Sequence, residues 1–124
     1  MIVSIGIDII EVARIREVLL RTPRFTERVF TRAEREYCDS RGVVAAQHYA
    51  ARFAAKEAVM KALGVGLGSC ALAEIEVVRD EDSGAPDLVL HGKAAALAAD
   101  RGVTAWKLSL THTDTSAHAI VIAL

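Results

Sequence analysis

The stretch VVAAQHYAARFAAKEAVMKAL, residues 43–63, decides the fold because it is the longest segment of the chain with a helical pattern. Gly64 follows it directly, and glycine is the residue that most often ends a helix. The many alanines of the stretch allow neighbouring elements to approach closely, and its only charged residues are Arg52, Lys56, Glu57 and Lys61. We therefore expect this helix to lie at the centre of the fold.

Glu57 interrupts the apolar face of that helix. At about 100° per residue, it shares one face, roughly 100° wide, with the side chains of Ala46, Tyr49, Ala50, Phe53 and Met60. A pair with Lys61, four residues later, contributes only about 0.2–0.5 kcal/mol, whereas burying an ionised carboxylate costs several kcal/mol. Lys61 alone therefore does not explain the position. A rim with access to water, a strong buried partner and a metal ion all remain open.

Asp8 raises the same question in the first predicted element, a buried strand over residues 2–10. Strand alternation places Ser4, Gly6 and Asp8 on one face, and Gly6 leaves room there for a bulky group to approach. One interpretation is that Asp8 caps the next helix by accepting its free N–H groups. The other is a Mg²⁺ site, because one or two carboxylates are the usual protein share of a site that waters and substrate phosphates complete.

The remaining segments predict an α+β fold with a mainly antiparallel sheet packed around the long central helix. Apolar spacing predicts a helix over residues 11–20 that ends at Thr22-Pro23, and a capping-box pattern starting at Thr31 predicts a second helix that ends near Cys38. After Gly64, the pattern predicts strands over residues 75–78 and 88–90, an alanine-rich helix over 93–100, and a hairpin of 104–110 with 117–123.

Length and composition exclude several classes of protein. A chain of 124 residues with 52% hydrophobic residues has the size of one domain, so we expect a single domain over residues 1–124. A net charge of −1 excludes a strongly basic nucleic-acid binder. No apolar run has membrane-spanning length and the first residues lack a basic signal-peptide region, which favours a cytoplasmic protein. Cys38 and Cys70 lack metal-site spacing and are expected to be idle thiols.

Positive charge is concentrated near the amino terminus. Six arginines lie between Arg14 and Arg32, against only Glu17 and Glu27. One interpretation is a solvated helix face. The other is a docking surface for an acidic partner, because arginine pairs with carboxylates and phosphates through two parallel hydrogen bonds.

A resemblance to a known family is carried by four separated segments: GIDIIEVARI (6–15), RFTERVFTRAE (24–34), RFAAKEAVMKALG (52–64) and LSLTHT (108–113). In this order and spacing they resemble the holo-[acyl-carrier-protein] synthases, the single-domain type of 4′-phosphopantetheinyl transferase. The combination of FxxKEAxxKALG with an upstream GxD is specific, and Thr111 replaces the familiar serine but keeps its hydroxyl. The resemblance implies transfer of 4′-phosphopantetheine from coenzyme A to a serine of apo-acyl carrier protein. Adenosine 3′,5′-bisphosphate is released, and the holo-carrier supports fatty acid biosynthesis.

The resemblance also implies a function for each unexplained polar residue. Asp8 and Glu57 would hold Mg²⁺ against the diphosphate of coenzyme A, and this would explain why Glu57 faces inward. Glu57 would accept the serine proton, directly or through a metal-associated water, and Lys61 would stabilise the phosphate or leaving group. The catalytic residues implied are thus Asp8, Glu57 and Lys61, and those implied for binding coenzyme A are Arg52, Lys61, Gly64, His112 and Thr113.

The same resemblance supplies an acidic partner for the arginine-rich stretch, namely the carrier protein. Its expected docking residues are Arg14, Val18, Arg21, Arg24, Phe25 and Arg28. The family likeness further implies a homotrimer with active sites between adjacent subunits, and no nucleic-acid or membrane partner. Two other functions stay open on the residues alone: a coenzyme A or nucleotide-binding module without turnover, and an interaction protein in which Glu57 is merely structural.

Overall fold

The computed structural model describes residues 1–124 and contains five strands and five α-helices. In chain order these are β1 (Ser4–Glu11), α1 (Val12–Arg21), α2 (Pro23–Val29), α3 (Arg32–Asp39), α4 (Ala45–Leu63), β2 (Ile75–Arg79), β3 (Pro86–Leu90), α5 (Gly92–Asp100), β4 (Trp106–His112) and β5 (Ser116–Ala123). Short 3₁₀ turns precede α4 and β2. No helix is both long and apolar enough to span a membrane.

Two antiparallel sheets surround helix α4, as expected for the predicted α+β fold. Strands β1, β5 and β4 form one sheet in that order, and β2 pairs with β3 in a separate hairpin. Helix α4 packs against β1 and β5 along its length and is buried on nearly all sides. The predicted centre of the fold is therefore confirmed.

Helix α4 and strand β1 approach so closely because Gly6 has no side chain. A Cβ added at Gly6 would collide with the carbonyl oxygen of Ala58 and would lie 2.8 Å from its carbonyl carbon. The room that Gly6 leaves is thus taken by the helix backbone itself. At the other end of the contact, Gly64 adopts a left-handed conformation with φ of 70° and ends α4, as predicted.

The prediction that β1 is a buried strand is wrong for one of its two faces. Ser4, Gly6 and Asp8 face α4, whereas Ile5, Ile7 and Ile9 are 59%, 63% and 57% exposed. In the register of the sheet, Ile7 lies opposite Ile120 of β5, which is also exposed. We call Ile5, Ile7, Ile9 and Ile120 the open sheet face.

The amino-terminal helices follow local signals, with one helix that sequence patterns missed. Thr31 caps α3 through the predicted capping box, in which its hydroxyl accepts the Glu34 N–H and the Glu34 carboxylate accepts the Thr31 N–H. Pro23 ends α1 but also occupies the first turn of α2, where proline fits well. The predicted break between helices is therefore a single residue, Thr22.

A fully buried ion pair joins α3, α4 and β2. Lys56 Nζ lies 2.8 Å from Glu34 Oε1 and also donates to the carbonyl oxygens of Leu72 and Ile75. The second oxygen of Glu34 accepts the Val77 N–H at 2.9 Å. Burial lowers the pKa of Lys56, and the Glu34 carboxylate opposes that shift. The pair thus secures the β2–β3 hairpin to the central helix.

Candidate active site

Asp8 and Glu57 meet at one cleft of about 440 Å³, formed between the end of β1, helix α1 and helix α4. Its walls are mainly apolar and include Phe25 and Phe53, whose ring centroids are 5.9 Å apart. We call this the acid cleft. The structure therefore brings together the two carboxylates that the sequence singled out from a strand and a helix.

Asp8 is not a helix cap. The residue before helix α1 is Glu11, whose side chain makes no capping hydrogen bond. Instead, Asp8 Oδ1 accepts a hydrogen bond from Lys61 Nζ at 2.9 Å. Asp8 Oδ2 is buried and has no hydrogen-bond partner. An unpartnered buried carboxylate oxygen is costly, so this atom points to a missing ligand.

Glu57 lies half-buried at the rim of the acid cleft rather than deep within the core. Partial burial raises the pKa of Glu57, the negative charge of Asp8 raises it further, and the positive charge of Lys61 opposes both. The possible ion pair between Glu57 and Lys61 on the same helix is not formed, because Lys61 reaches across to β1. A raised pKa on a carboxylate in a cleft is typical of a functional group.

Arg52 and His112 lie in a different cavity of about 180 Å³, which shares no lining residue with the acid cleft. We call it the basic cavity; its walls include Tyr37, His48, Arg52, Arg79 and His112. The guanidinium carbons of Arg52, Arg79 and Arg41 lie 4.5, 5.5 and 5.8 Å from the centroid of the Tyr37 ring. Three guanidinium groups therefore make cation–π contacts with the single ring of Tyr37.

The basic cavity holds unbalanced positive charge. None of its arginines forms an ion pair with a carboxylate. Arg52 is only 5% exposed, and its Nε has no hydrogen-bond acceptor. A buried guanidinium N–H without a partner is suited to an anion.

Histidines also meet in the basic cavity. The rings of His48 and His112 are 5.2 Å apart, and that of His48 is 5.6 Å from Tyr37. Burial lowers the pKa of His48 to about 4, and the charge of Arg52 contributes. His48 is therefore a neutral wall of this cavity at pH 7.

The other expected coenzyme-binding residues lie outside both cavities. Thr113 bonds within its own turn, where its hydroxyl accepts the N–H groups of Thr115 and Ser116. Gly64 ends helix α4 with open space around its Cα. Sequence reasoning missed Tyr37, Arg41 and Arg79, because the cluster forms only when Arg52 of α4 and Arg79 of β2 pack against Tyr37 of α3.

The expected docking residues divide into two groups. Arg14, Val18 and Phe25 line the acid cleft together with Asp8 and Glu57. Arg21, Arg24 and Arg28 lie outside it and are exposed, and Arg21 pairs with Glu17 at 2.9 Å.

Both Cys38 and Cys70 are buried free thiols, and burial raises the pKa of Cys38 to about 12. Thiols with raised pKa values are poor nucleophiles, as expected for idle cysteines.

Comparisons with known proteins agree on one family. The sequence profile of the 4′-phosphopantetheinyl transferase superfamily matches residues 4–122. The holo-[acyl-carrier-protein] synthase of Moorella thermoacetica is 49% identical over 117 residues, which are 94% of this chain and 90% of that protein.

Solved structures support the same relationship. The holo-[acyl-carrier-protein] synthase of Neisseria meningitidis superposes with a TM-score of 0.86 at 29% identity, covering 100% of this chain and 99% of the other. That of Bacillus anthracis, solved in complex with CoA (3′,5′-ADP), has a TM-score of 0.80 at 38% identity and covers 99% and 96%. With a full-length profile match, close relatives and a shared fold, the chain belongs to the holo-[acyl-carrier-protein] synthase family of 4′-phosphopantetheinyl transferases.

Proposed function

We propose that this protein transfers the 4′-phosphopantetheinyl group of coenzyme A to a serine of apo-acyl carrier protein. The serine oxygen forms a bond to the phosphorus that carries the pantetheine arm, and the bond from that phosphorus to the bridging oxygen breaks. Adenosine 3′,5′-bisphosphate leaves and holo-carrier protein is formed. The observation that carries this proposal is the carboxylate pair Asp8 and Glu57, with a buried oxygen that lacks a partner, in a cleft that Arg14 and Phe25 also line.

The carboxylate pair suits Mg²⁺ better than other common metals. No cluster of three or more His, Cys, Asp or Glu side chains that could hold a metal is present, which fits neither a zinc site nor an all-protein calcium site. Mg²⁺ usually binds through one or two carboxylates, with waters and substrate phosphates as its other ligands. Asp8 Oδ2 and the Glu57 carboxylate would supply that protein share. When bound, Mg²⁺ would neutralise charge on the diphosphate of coenzyme A.

Glu57 would accept the proton of the attacking serine at its carboxylate. Glu57 lines the acid cleft beside Asp8, so a serine that enters this cleft would come within reach of its carboxylate or of a metal-associated water. Asp8 would share with Glu57 the task of holding the cation. Lys61, half-exposed beside them, adds a positive charge at the edge where the leaving phosphate departs.

The basic cavity would take the nucleotide end of coenzyme A. Arg52 and His112 were expected there, and Arg41 and Arg79 add two further cations around Tyr37. Phosphate groups are well matched to unpaired guanidinium groups of this kind. The 3′-phosphate of coenzyme A is therefore the group proposed for this cavity, with Thr113 and Gly64 further along the coenzyme.

The acidic carrier protein would dock beside the acid cleft. Arg14, Val18 and Phe25 share the cleft with Glu57, so a carrier helix seated on them brings its serine towards the base. Arg21, Arg24 and Arg28 would extend the contact with exposed positive charge. Such a contact predicts association that weakens as salt rises.

A homotrimer would unite the two cavities. The acid cleft and the basic cavity share no lining residue within one chain, yet one coenzyme A must reach both. The open sheet face places four exposed isoleucines side by side on one sheet, and contiguous exposed apolar patches often mark protein–protein interaction sites. Packing of adjacent copies through this face would cover it and place the basic cavity of one subunit beside the acid cleft of the next.

The test is intact-mass spectrometry of apo-acyl carrier protein incubated with this protein and coenzyme A. We expect the carrier to gain one phosphopantetheinyl arm with Mg²⁺ and none with EDTA. Glu57→Gln should abolish the gain, whereas Glu36→Gln, on the exposed face of α3, should leave it unchanged. A folded protein that binds coenzyme A but modifies no apo-carrier would favour a non-catalytic binding module instead. Absence of Mg²⁺-dependent coenzyme A binding would favour an interaction protein.

A further inference from the structure

Lys61 makes a contact that the sequence did not predict. Its Nζ lies 2.9 Å from Asp8 Oδ1 and 3.0 Å from the carbonyl oxygen of Ile7. The side chain of Lys61 is 56% exposed, whereas that of Asp8 is only 13% exposed. Lys61 therefore reaches from the last turn of α4 onto the backbone of β1 and holds a nearly buried carboxylate.

This contact gives the two oxygens of Asp8 different surroundings. Oδ1 is occupied by Lys61, and Oδ2 is buried without a partner. Because Lys61 also bonds to the Ile7 carbonyl oxygen, the side chain of Asp8 is fixed relative to its own strand. Its rotation is restricted, which holds the Asp8 carboxylate in place in the cleft that Glu57 also lines.

The charges of the three groups also set how strongly a cation is attracted. Asp8 and Glu57 together carry two negative charges when ionised, and Lys61 cancels one of them. A diphosphate adds further negative charge when it enters. A divalent cation is therefore attracted more strongly to the three residues together with a diphosphate than to the residues alone.

We propose that Lys61 is the positioning residue of Asp8 and the fixed counter-charge of the carboxylate pair. It limits the affinity of the pair for a free divalent cation, so the cation enters together with the diphosphate of coenzyme A. This inference rests on the proposed function, because it concerns the same cation site. It goes beyond a contact of Lys61 with the leaving phosphate, because it concerns the affinity for a cation before coenzyme A is bound.

The test measures Mn²⁺ binding to the full chain by electron paramagnetic resonance of free Mn²⁺, first without coenzyme A. Lys61→Met should bind Mn²⁺ about ten-fold more tightly than the wild type, because removal of one nearby positive charge strengthens the field of both carboxylates. Lys61→Arg keeps the charge and should stay close to the wild-type affinity. Adding coenzyme A should tighten Mn²⁺ binding to the wild type, because the diphosphate adds negative charge beside the carboxylate pair.

Two controls make the outcomes distinct. Lys93→Met removes an exposed positive charge on α5 and should not change Mn²⁺ affinity, and circular dichroism should show that every variant is folded. Equal or weaker Mn²⁺ binding by Lys61→Met, with saturable binding to the wild type in the presence of coenzyme A, overturns the inference on Lys61 alone. Absence of Mn²⁺ binding to the folded wild type with coenzyme A overturns the cation site itself.

Discussion

Gly6 shows how one missing side chain sets the distance between the central helix and the sheet. Gly6→Ala places a methyl group against the Ala58 carbonyl, which is backbone and has little freedom to move. We expect a loss of about 1–3 kcal/mol in the free energy of unfolding, measured by urea denaturation. Gly66→Ala is the matched control, since a Cβ there meets nothing within 4 Å and its φ is not positive. Equal stabilities of the two variants would contradict this account.

His48 makes stability depend on pH through its environment. Burial and the nearby Arg52, His112 and Arg41 lower its pKa from the ordinary 6.5 to about 4 in the folded protein. Between these values the unfolded chain binds more protons at this site, so its contribution to stability falls as pH decreases from 6.5 to 4. His48→Gln should flatten the pH dependence of urea unfolding across that window. An unchanged slope would show that His48 does not titrate as its surroundings indicate.

At the scale of elements, the Glu34–Lys56 pair connects α3, α4 and the β2–β3 hairpin. Lys56→Met leaves Glu34 buried without its partner, and breaking such a pair costs about 3–5 kcal/mol. Arg32→Met breaks the exposed pair with Glu36, whose side chains are 86% and 67% exposed, and should cost less than about 1 kcal/mol. Denaturant unfolding distinguishes them. A Lys56→Met variant as stable as Arg32→Met would show that the buried pair contributes nothing.

Local sequence patterns predicted most helices and strands, but they did not predict contacts between segments that are distant along the chain. Thr31 marks the start of α3 through its capping box with Glu34, and Gly64 marks the end of α4 because glycine readily adopts the left-handed conformation. The partner of Lys61 could not be found this way, because the i+4 pattern indicates Glu57 and the actual partner is 53 residues away. The basic cavity escaped for the same reason: Arg79 reaches Tyr37 only after the hairpin docks on α3 and α4.

At the scale of the whole molecule, the open sheet face should control assembly. Ile7→Lys places a charge in the middle of this face, where it would have to be buried between copies. We expect the variant to sediment as a monomer in analytical ultracentrifugation under conditions where the wild type is a trimer. Val43→Lys, at a site that is 97% exposed, should leave the sedimentation unchanged. A monomeric wild type would contradict the proposed trimer.

Helix α4 contributes a residue to each of the two cavities: Arg52 to the basic cavity and Glu57 to the acid cleft. Arg52 and Glu57 are five residues apart, so they project about 140° from one another and about 7.5 Å apart along the axis. If each active site combines the basic cavity of one chain with the acid cleft of another, two variants that each lack one cavity can together form an active site. Arg52→Ala and Glu57→Gln should each be inactive alone, yet mixing them during refolding should restore activity where intact halves meet. Genetic complementation between two dead alleles would then follow from the geometry of a single helix.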